Sequence, residues 1–393
     1  MKTPFVPRPP RRTGLRSVAT LLFDDRYLDY DFGPDHPFSP IRQEMVVSLL
    51  DALGQPIDPI SPPVASRAEV RRVHSESLVK KVEAASDGRP PPEAWDYGIN
   101  TGDVPVFENM DAATRGLVGG TLHGARLIAE EKASRVLQMG GGLHHAHRDR
   151  ASGFCVYNDL SVAINTLREQ NLRVAYVDID VHHGDGVQFL HYDDPGVLTI
   201  SLHESGQYLF PGSGGVDEIG EEAGEGSAVN VPLMPHTEPE SYRDAFERVV
   251  PYALDKFAPD VIVAQCGADA HFQDPLADLL LTSQTYEDLF RDLLSLADEH
   301  TNGRILCTFG GGYHLDAVVR VWTLLALLMQ DLDLPDTIPA DWRTQWQDQL
   351  DASLTSTLHD PEPSFNLSRR PDVREKNQQT STQVLEILAP HWY

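Results

Sequence analysis

Cysteine is scarce in this chain. Cys155, Cys266 and Cys307 are the only three among 393 residues, and no two form a Cys-x-x-Cys pair. That argues against a disulfide scaffold and suits a reducing compartment. Positive charge is also short, with 32 Lys and Arg against 59 Asp and Glu for a formal net charge of −27. A polyanion such as nucleic acid needs cationic patches, so it is a poor partner for this surface. Long apolar runs are missing too. The most apolar stretch, 321–329, is about half of the roughly 18 residues that cross a bilayer. Arg11 and Arg12 are not followed by an uninterrupted apolar segment of the kind a signal peptide carries. The composition therefore reads as a soluble, cytoplasmic protein with no membrane or nucleic-acid partner. Gly-x-Ser-x-Gly elbows and Walker-type phosphate loops are absent as well.

What is present suffices for a large core, with 41% hydrophobic and 23% charged residues. Residues 1–16 read as a basic, Pro-rich tail carrying Lys2, Arg8, Arg11, Arg12 and Arg16. Residues 17–330 contain no linker long enough to separate domains, and 331–393 read as a C-terminal extension packed on or near them. Short, nearly continuous apolar runs predict strands at 135–139, 174–179, 197–202, 261–265 and 304–309. Helical patterns alternate with them. Val118, Leu122, Ala125 and Ala129 share one helical face. Phe246, Val249, Val250, Leu254 and Phe257 share another, with a kink expected at Pro251. Tyr286, Leu289, Phe290 and Leu293 share a third, with Thr285 expected to open it and Asp288 three residues on. This alternation predicts a single α/β domain with a predominantly parallel central sheet and helices on both faces.

Chemistry-bearing residues follow four of these strands. His144 and His145 follow the first, and Asp178, Asp180, His182, His183 and Asp185 the second. Asp269 follows the fourth, and Gly310–Gly312 with Tyr313 the fifth. Ligands in open α/β sheets bind beyond the carboxyl ends of strands, so all four point to one site. Asp178 and Asp180 alternate onto one face, and Asp180 and His182 have a spacing that chelates one metal. Paired carboxylates and imidazoles at the end of an apolar strand are costly unless a cation balances them. A third ligand is then needed; Asp269 is the candidate, with His271 and Asp274 as alternatives. Two carboxylates weaken the Lewis acidity of such an ion, and the Tyr313 hydroxyl on its glycine turn could supply further electrophilic help. His144 or His145 could move the proton, with Asp178 and Asp185 as their orienters. His147 reads as part of a flexible His-rich loop, and Cys155 as a small buried residue rather than a nucleophile. The other histidines, His36 and His74 among them, read as structural or exposed.

The strings Gly-Gly-Leu-His-His-Ala-His (141–147), Ser-Gly-Phe-Cys-Val-Tyr-Asn-Asp (152–159), Asp-Ile-Asp-Val-His-His-Gly-Asp-Gly (178–186), Gly-Ala-Asp-Ala-His (267–271) and Gly-Gly-Gly-Tyr (310–313) together resemble the zinc-dependent histone deacetylase family, on the arginase/deacetylase fold. Their order and spacing match from about Val18 to Met329. The stretch 100–107 and the C-terminal extension look most like bacterial acetoin-utilisation deacetylases. The resemblance implies Zn²⁺, with Fe²⁺ as the candidate in cells, on Asp180, His182 and Asp269. It implies His145 as general base and acid, His144 with Asp178 as electrostatic support, Asp185 as the orienter of His145, and Tyr313 as the group polarising an acetyl carbonyl. It also implies Phe154 and Phe210 as tunnel walls, Leu276 and Asp103 at the rim, the Gly153 carbonyl as acceptor of the substrate amide, and Arg42 in an inner cavity. A structural K⁺ would lie near Asp178, Asp180, His182, Ser201 and Leu202.

The implied activity is hydrolysis of N6-acetyl-lysine in a protein or peptide to lysine and acetate, by metal-activated water. An acyl-CoA synthetase lysine is the target the acetoin-type relatives suggest. The alternatives are deacetylation of an acetylpolyamine or other small acylated amine, and a non-catalytic acetyl-lysine binding module. The apolar Leu276 lacks the acidic mark of polyamine-selective relatives. The second carboxylate motif of two-metal arginases is absent. The acidic surface would draw lysine-rich segments, although most of its charge reads simply as solubilising. Oligomeric state is open.

Overall fold

In the computed structural model, which describes residues 18–392 apart from 56, 57 and 362, successive residues of the central strands face opposite apolar layers. Within Val174–Asp178, Ala175 and Val177 enter one layer, while Val174 and Tyr176 enter the other. Within Val261–Gln265, Ile262 and Ala264 divide from Val261 and Val263 in the same way. Side chains alternate with a period of two, so a sheet covered on both faces needs apolar residues at every position.

In chain order the elements are β1 (Thr20–Leu22), α1 (Ile41–Ala52), α2 (Arg67–Val70), α3 (Glu76–Ala85), α4 (Met110–Ala129), β2 (Arg135–Gln138), α5 (Asp159–Glu169), β3 (Val174–Asp178), α6 (Asp185–Leu190) and β4 (Val197–Glu204). There follow β5 (Ala228–Leu233), α7 (Pro239–Phe257), β6 (Val261–Gln265), α8 (Ser283–Thr301), β7 (Ile305–Thr308), α9 (Leu315–Met329), α10 (Ala340–Leu350) and α11 (Arg370–Trp392). The seven strands form one parallel sheet in the order β1-β2-β7-β6-β3-β4-β5. Helices α1, α7, α8 and α9 pack on one face, and α4 and α5 on the other. The four strands expected to carry chemistry, β2, β7, β6 and β3, are consecutive neighbours in this order, so their carboxyl ends meet at one edge.

Two sequence expectations shift. Strand ends move by one or two residues, and β1 and β5 are additional. β1 is only three residues long, and β5 is interrupted by Asn230 and Pro232. Proline is tolerated there because β5 is an edge, bonded only to β4. Helix α8 opens one turn earlier than expected. Thr282 is its N-cap, accepting from Thr285 N, while Thr285 Oγ1 accepts from Thr282 N. Helix α7 holds Pro251 in its interior, at the position where the kink was expected. The basic tail at 1–16 lies outside the described residues. No described helix is long and apolar enough to cross a membrane.

Residues beyond α9 share the main core. Trp342 and Trp346 are buried and both donate to Ser48 Oγ, at 2.9 and 3.1 Å. Helix α11 lies against α7 and β5. There Asn377 Nδ2 donates to Thr237 Oγ1 and Ser241 Oγ, and Val384 and Leu388 are buried. The exposed edge of β5 is thereby covered. Trp322 anchors the opposite side of the site, stacked 4.2 Å from Phe309 and donating to the Cys266 carbonyl at 2.9 Å. Trp322→Ala should cost about 3–5 kcal/mol, read by chemical denaturation; a loss near zero would contradict its role as a core anchor.

Candidate active site

Asp180 and His182 leave the end of β3, and Asp269 leaves the end of β6. Each offers one donor atom, these atoms lie within 4.8 Å of one another, and all three residues are buried. The second oxygen of each acid is already held. Asp180 Oδ2 accepts from Gln265 Nε2 at 2.7 Å and Gly311 N at 2.9 Å, and Asp269 Oδ1 from Val181 N at 2.9 Å. A Cβ on Gly311 would sit 2.1 Å from Asp269 Oδ2, so only glycine permits this approach.

Burial pushes the Asp269 carboxyl up to about 7, and the charge of Asp180 adds to the effect. Burial alone would depress His182, yet the carboxylates of Asp180 and Asp269 outweigh it and raise the ring to about 10. This is a cluster whose negative charge its surroundings do not offset. Its two oxygens and one imidazole nitrogen fit a divalent transition-metal ion.

Beside this cluster stands an asymmetric histidine pair. His144 Nδ1 pairs with Asp178 Oδ2 at 2.8 Å, and His145 Nδ1 with Asp185 Oδ1 at 2.7 Å; the two Nε2 atoms are 3.0 Å apart. Burial works against a charge on His144, but Asp178 and Asp180 raise it to about 9. Burial, reinforced by the neighbouring His144, lowers His145 to about 3. Near neutrality His144 therefore holds the shared proton, and His145 is the unprotonated partner. Asp185 also accepts from His147 Nε2 at 3.0 Å. His147 is thus tied into the dyad rather than loose in a flexible loop. His183 turns away from the centre, to Ser213 Oγ and Gln188 Oε1, and braces the loop that carries Phe210.

A narrow cavity of about 220 Å³ leads to these groups, lined by Asp103, His145, Gly153, Phe154, His182, Leu209, Phe210, Leu276 and Tyr313. Every expected rim and wall residue is therefore here, and Leu209 is an addition. Phe154 has φ +65°, a left-handed conformation costing about 1–2 kcal/mol. The Tyr30 hydroxyl holds that turn by donating to the Phe154 carbonyl at 2.7 Å and accepting from Val156 N. The Phe154 ring meets Tyr313 edge-on at 5.6 Å. Burial keeps the Tyr313 phenol protonated by raising it well above 10. Burial likewise pushes the Cys155 thiol up, and its Sγ contacts the Gly153 carbonyl, so it is no nucleophile.

Neither alternative third ligand joins the metal group. Asp274 instead accepts from Tyr313 N at 2.7 Å and Leu276 N at 3.0 Å, fixing the hydroxyl-bearing loop and the rim together. His271 bonds Asp360. Arg42 is fully buried, with Nη1 donating to the Gly310 and Gly312 carbonyls and Nη2 without a partner among the described residues. Asp178 pairs in register with Ser201, whose hydroxyl bonds His203, and Leu202 is buried beside them.

Asn158 and Asp159, at the end of the 152–159 string, hold the histidine loop in place. Asp159 accepts from Gly142 N and Leu143 N, and Asn158 Nδ2 donates to the His144 and Ala146 carbonyls. Their signal was two polar residues inside an otherwise apolar string. Gln265, at the end of an apolar strand, carried the same signal. Asn158 N donates to Nε2 of buried His74, whose Nδ1 faces the His147 carbonyl at 2.9 Å. Burial lowers His74 to about 4. The unfolded ring takes up its proton near 6.5, so acidification favours unfolding through this group between the two values, by about 3 kcal/mol. Denaturation at about pH 7 and about pH 4 should show a larger loss for the wild type than for His74→Gln; equal losses would refute the assignment.

The histone deacetylase domain family matches residues 36–329. The chain is 39% identical over 376 residues to the acetoin utilization protein AcuC of Bacillus subtilis (strain 168), covering 94% of this chain and 97% of that protein. It is 35% identical over 384 residues to AcuC of Staphylococcus aureus (strain MRSA252), covering 96% and 97%. It superposes on an HDAC homolog complexed with SAHA at a TM-score of 0.83 and 26% identity, covering 93% of this chain and 100% of that one. For an HDAC homolog from Aquifex aeolicus the TM-score is 0.82 at 27% identity, covering 92% and 100%. A parallel sheet with this reaction centre at its carboxyl edge, matched by these relatives over nearly its whole length, places the chain in the histone deacetylase family.

Proposed function

We propose that the chain hydrolyses N6-acetyl-lysine in proteins or peptides to lysine and acetate. The observation that carries this reading is the narrow cavity between Phe154 and Phe210, ending at His145, His182 and Tyr313. Aromatic walls suit the uncharged stem of an acylated lysine, and a branched or charged side chain would lose contact or solvation there. Leu276 offers no charge to the second ammonium of an acetylpolyamine, which favours a peptide backbone at the rim. Exposed Asp103 would accept from that backbone, and the Gly153 carbonyl from the amide N–H of the acyl-lysine.

Asp180, His182 and Asp269 would hold the ion, Zn²⁺ first and Fe²⁺ second. When bound, it supplies Lewis acidity to water and to the acyl oxygen. The protein's own groups move the protons. His145, neutral and fixed in its tautomer by Asp185 at Nδ1, takes a proton at Nε2 as the water oxygen bonds the acyl carbon. It returns that proton to the amine nitrogen as the C–N bond breaks. His144, charged against Asp178, sets the field beside it. The Tyr313 hydroxyl donates to the acyl oxygen as negative charge develops there. Arg42 Nη2, buried without a partner near the Tyr313 ring, is the donor available to departing acetate. A structural K⁺ near Asp178, Asp180, His182, Ser201 and Leu202 belongs to the same proposal. An acyl-CoA synthetase lysine is the first protein target to assay.

An acetyl-lysine peptide assay with the Zn²⁺-loaded protein should show turnover that a chelator abolishes and Zn²⁺ restores. Tyr313→Phe should lower kcat by about 10²–10³-fold. Wild-type turnover no faster than that of Tyr313→Phe would sink the reading, and a strong preference in kcat/KM for acetylputrescine would reassign the substrate.

A further inference from the structure

The stretch that matches the family ends at residue 329, yet a strand of chain beyond it reaches the back of the reaction centre. Asp360 is buried at 6% exposure. Its Oδ2 accepts from His271 Nε2 at 2.9 Å, from Ser283 N at 2.8 Å and from Ser283 Oγ at 2.9 Å. Its Oδ1 lies 2.9 Å from Arg320 Nη2. The His271 tautomer is set, because Nδ1 accepts from Gln273 N and leaves Nε2–H for Asp360. His271 stands two residues after Asp269, and Ser283 is the first residue of α8.

Arg320 stands seven residues after Tyr313, on α9. It is itself buried, and its Nε donates to Asp316 Oδ2 at 3.0 Å. Asp316 in turn accepts from Thr355 N and Thr355 Oγ1, both at 2.8 Å. Leu354 and Leu358 are buried on either side, and the Leu358 carbonyl accepts from Arg320 Nη1.

We propose that segment 354–360 is a positioning strap for the reaction centre, with Asp360 as its positioning residue. It ties the loop bearing Asp269 to the helix that follows Tyr313, at a point where neither group is touched directly. Asp274 makes the same tie from the front, at Tyr313 N. A carboxylate that holds the ion and a hydroxyl that must reach the acyl oxygen beside that ion tolerate little relative movement, and a displacement of about 1 Å can cost about 10²-fold in rate. The strap places one buried carboxylate between an imidazole N–H, a helix N-terminus and a guanidinium, all of which it satisfies at once. An amide there would turn an N–H toward Arg320 and leave that cation partly unpaired. The inference rests on the metal reading of Asp180, His182 and Asp269.

The test compares full-length wild type, Asp360→Asn and Leu388→Ala, the last a cavity control on α11 away from the loop. Thermal stability, metal affinity by chelator competition, kcat and KM are read on the same preparations. Asp360→Asn should weaken metal affinity by about tenfold and lower kcat by about 10–100-fold with little change in KM, while Leu388→Ala loses stability and keeps both. If Asp360→Asn does not fold, His271→Phe, which removes only the ring donor, carries the same expectation. Wild-type kcat and metal affinity in the Asp360 or His271 variant would overturn the strap alone, as would equal losses in Leu388→Ala at equal stability. Wild type that binds no metal would overturn the metal reading and the strap together.

Discussion

Three carboxylates, Asp178, Asp180 and Asp269, are buried at the carboxyl edge of an apolar sheet. Desolvating them is the constraint to which the surrounding structure answers. Asp178 is offset by the His144 ring and by the Tyr176 hydroxyl. Asp180 is offset by Gln265, the Gly311 amide and His182. Asp269 has the Val181 amide and His182. These bonds come from β3 and the loop after it, from β6, and from the turns after β2 and β7, which are adjacent only because of the strand order. The remaining negative charge is what suits the cluster to a cation.

The same carboxylates make two chemically identical histidines different. His144 lies beside Asp178 and Asp180 and carries charge, whereas His145, next to that charge and to apolar walls, does not. Each has an aspartate at Nδ1, so orientation is equal and field is the variable. One ring is thereby left with an unprotonated Nε2, and the other becomes a positive neighbour 3.0 Å from it. Which of the two rings carries charge is set by where the acids sit.

Around this centre, rigidity comes from polar residues that touch no substrate. Asn158, Asp159 and His74 hold the histidine loop by its backbone. Asp274 and Asp360 hold the two loops that carry Tyr313 and Asp269. Buried polar groups of this kind are tolerable only when fully bonded, and a group with several fixed partners resists movement in several directions. The C-terminal residues 354–360 add bonds to His271, Ser283, Arg320 and Asp316.

From the sequence alone came the parallel α/β class, four of the strands at the site, and the Asp180–His182 pair with three candidates for its third ligand. Each rests on local regularity: continuous apolar runs, polar groups immediately after them, and a two-residue ligand spacing on one strand end. Tertiary structure alone decided that β2, β7, β6 and β3 stand side by side, since strand order is not written in any local pattern. It alone placed the third ligand, because Asp269, His271 and Asp274 differ only in which way a loop turns. The early start of α8 at Thr282 belongs here too, for Ser283 is bonded to Asp360, 77 positions away in the chain. So does the work of His74, whose ring gains a role only by burial between the His147 carbonyl and the Asn158 amide.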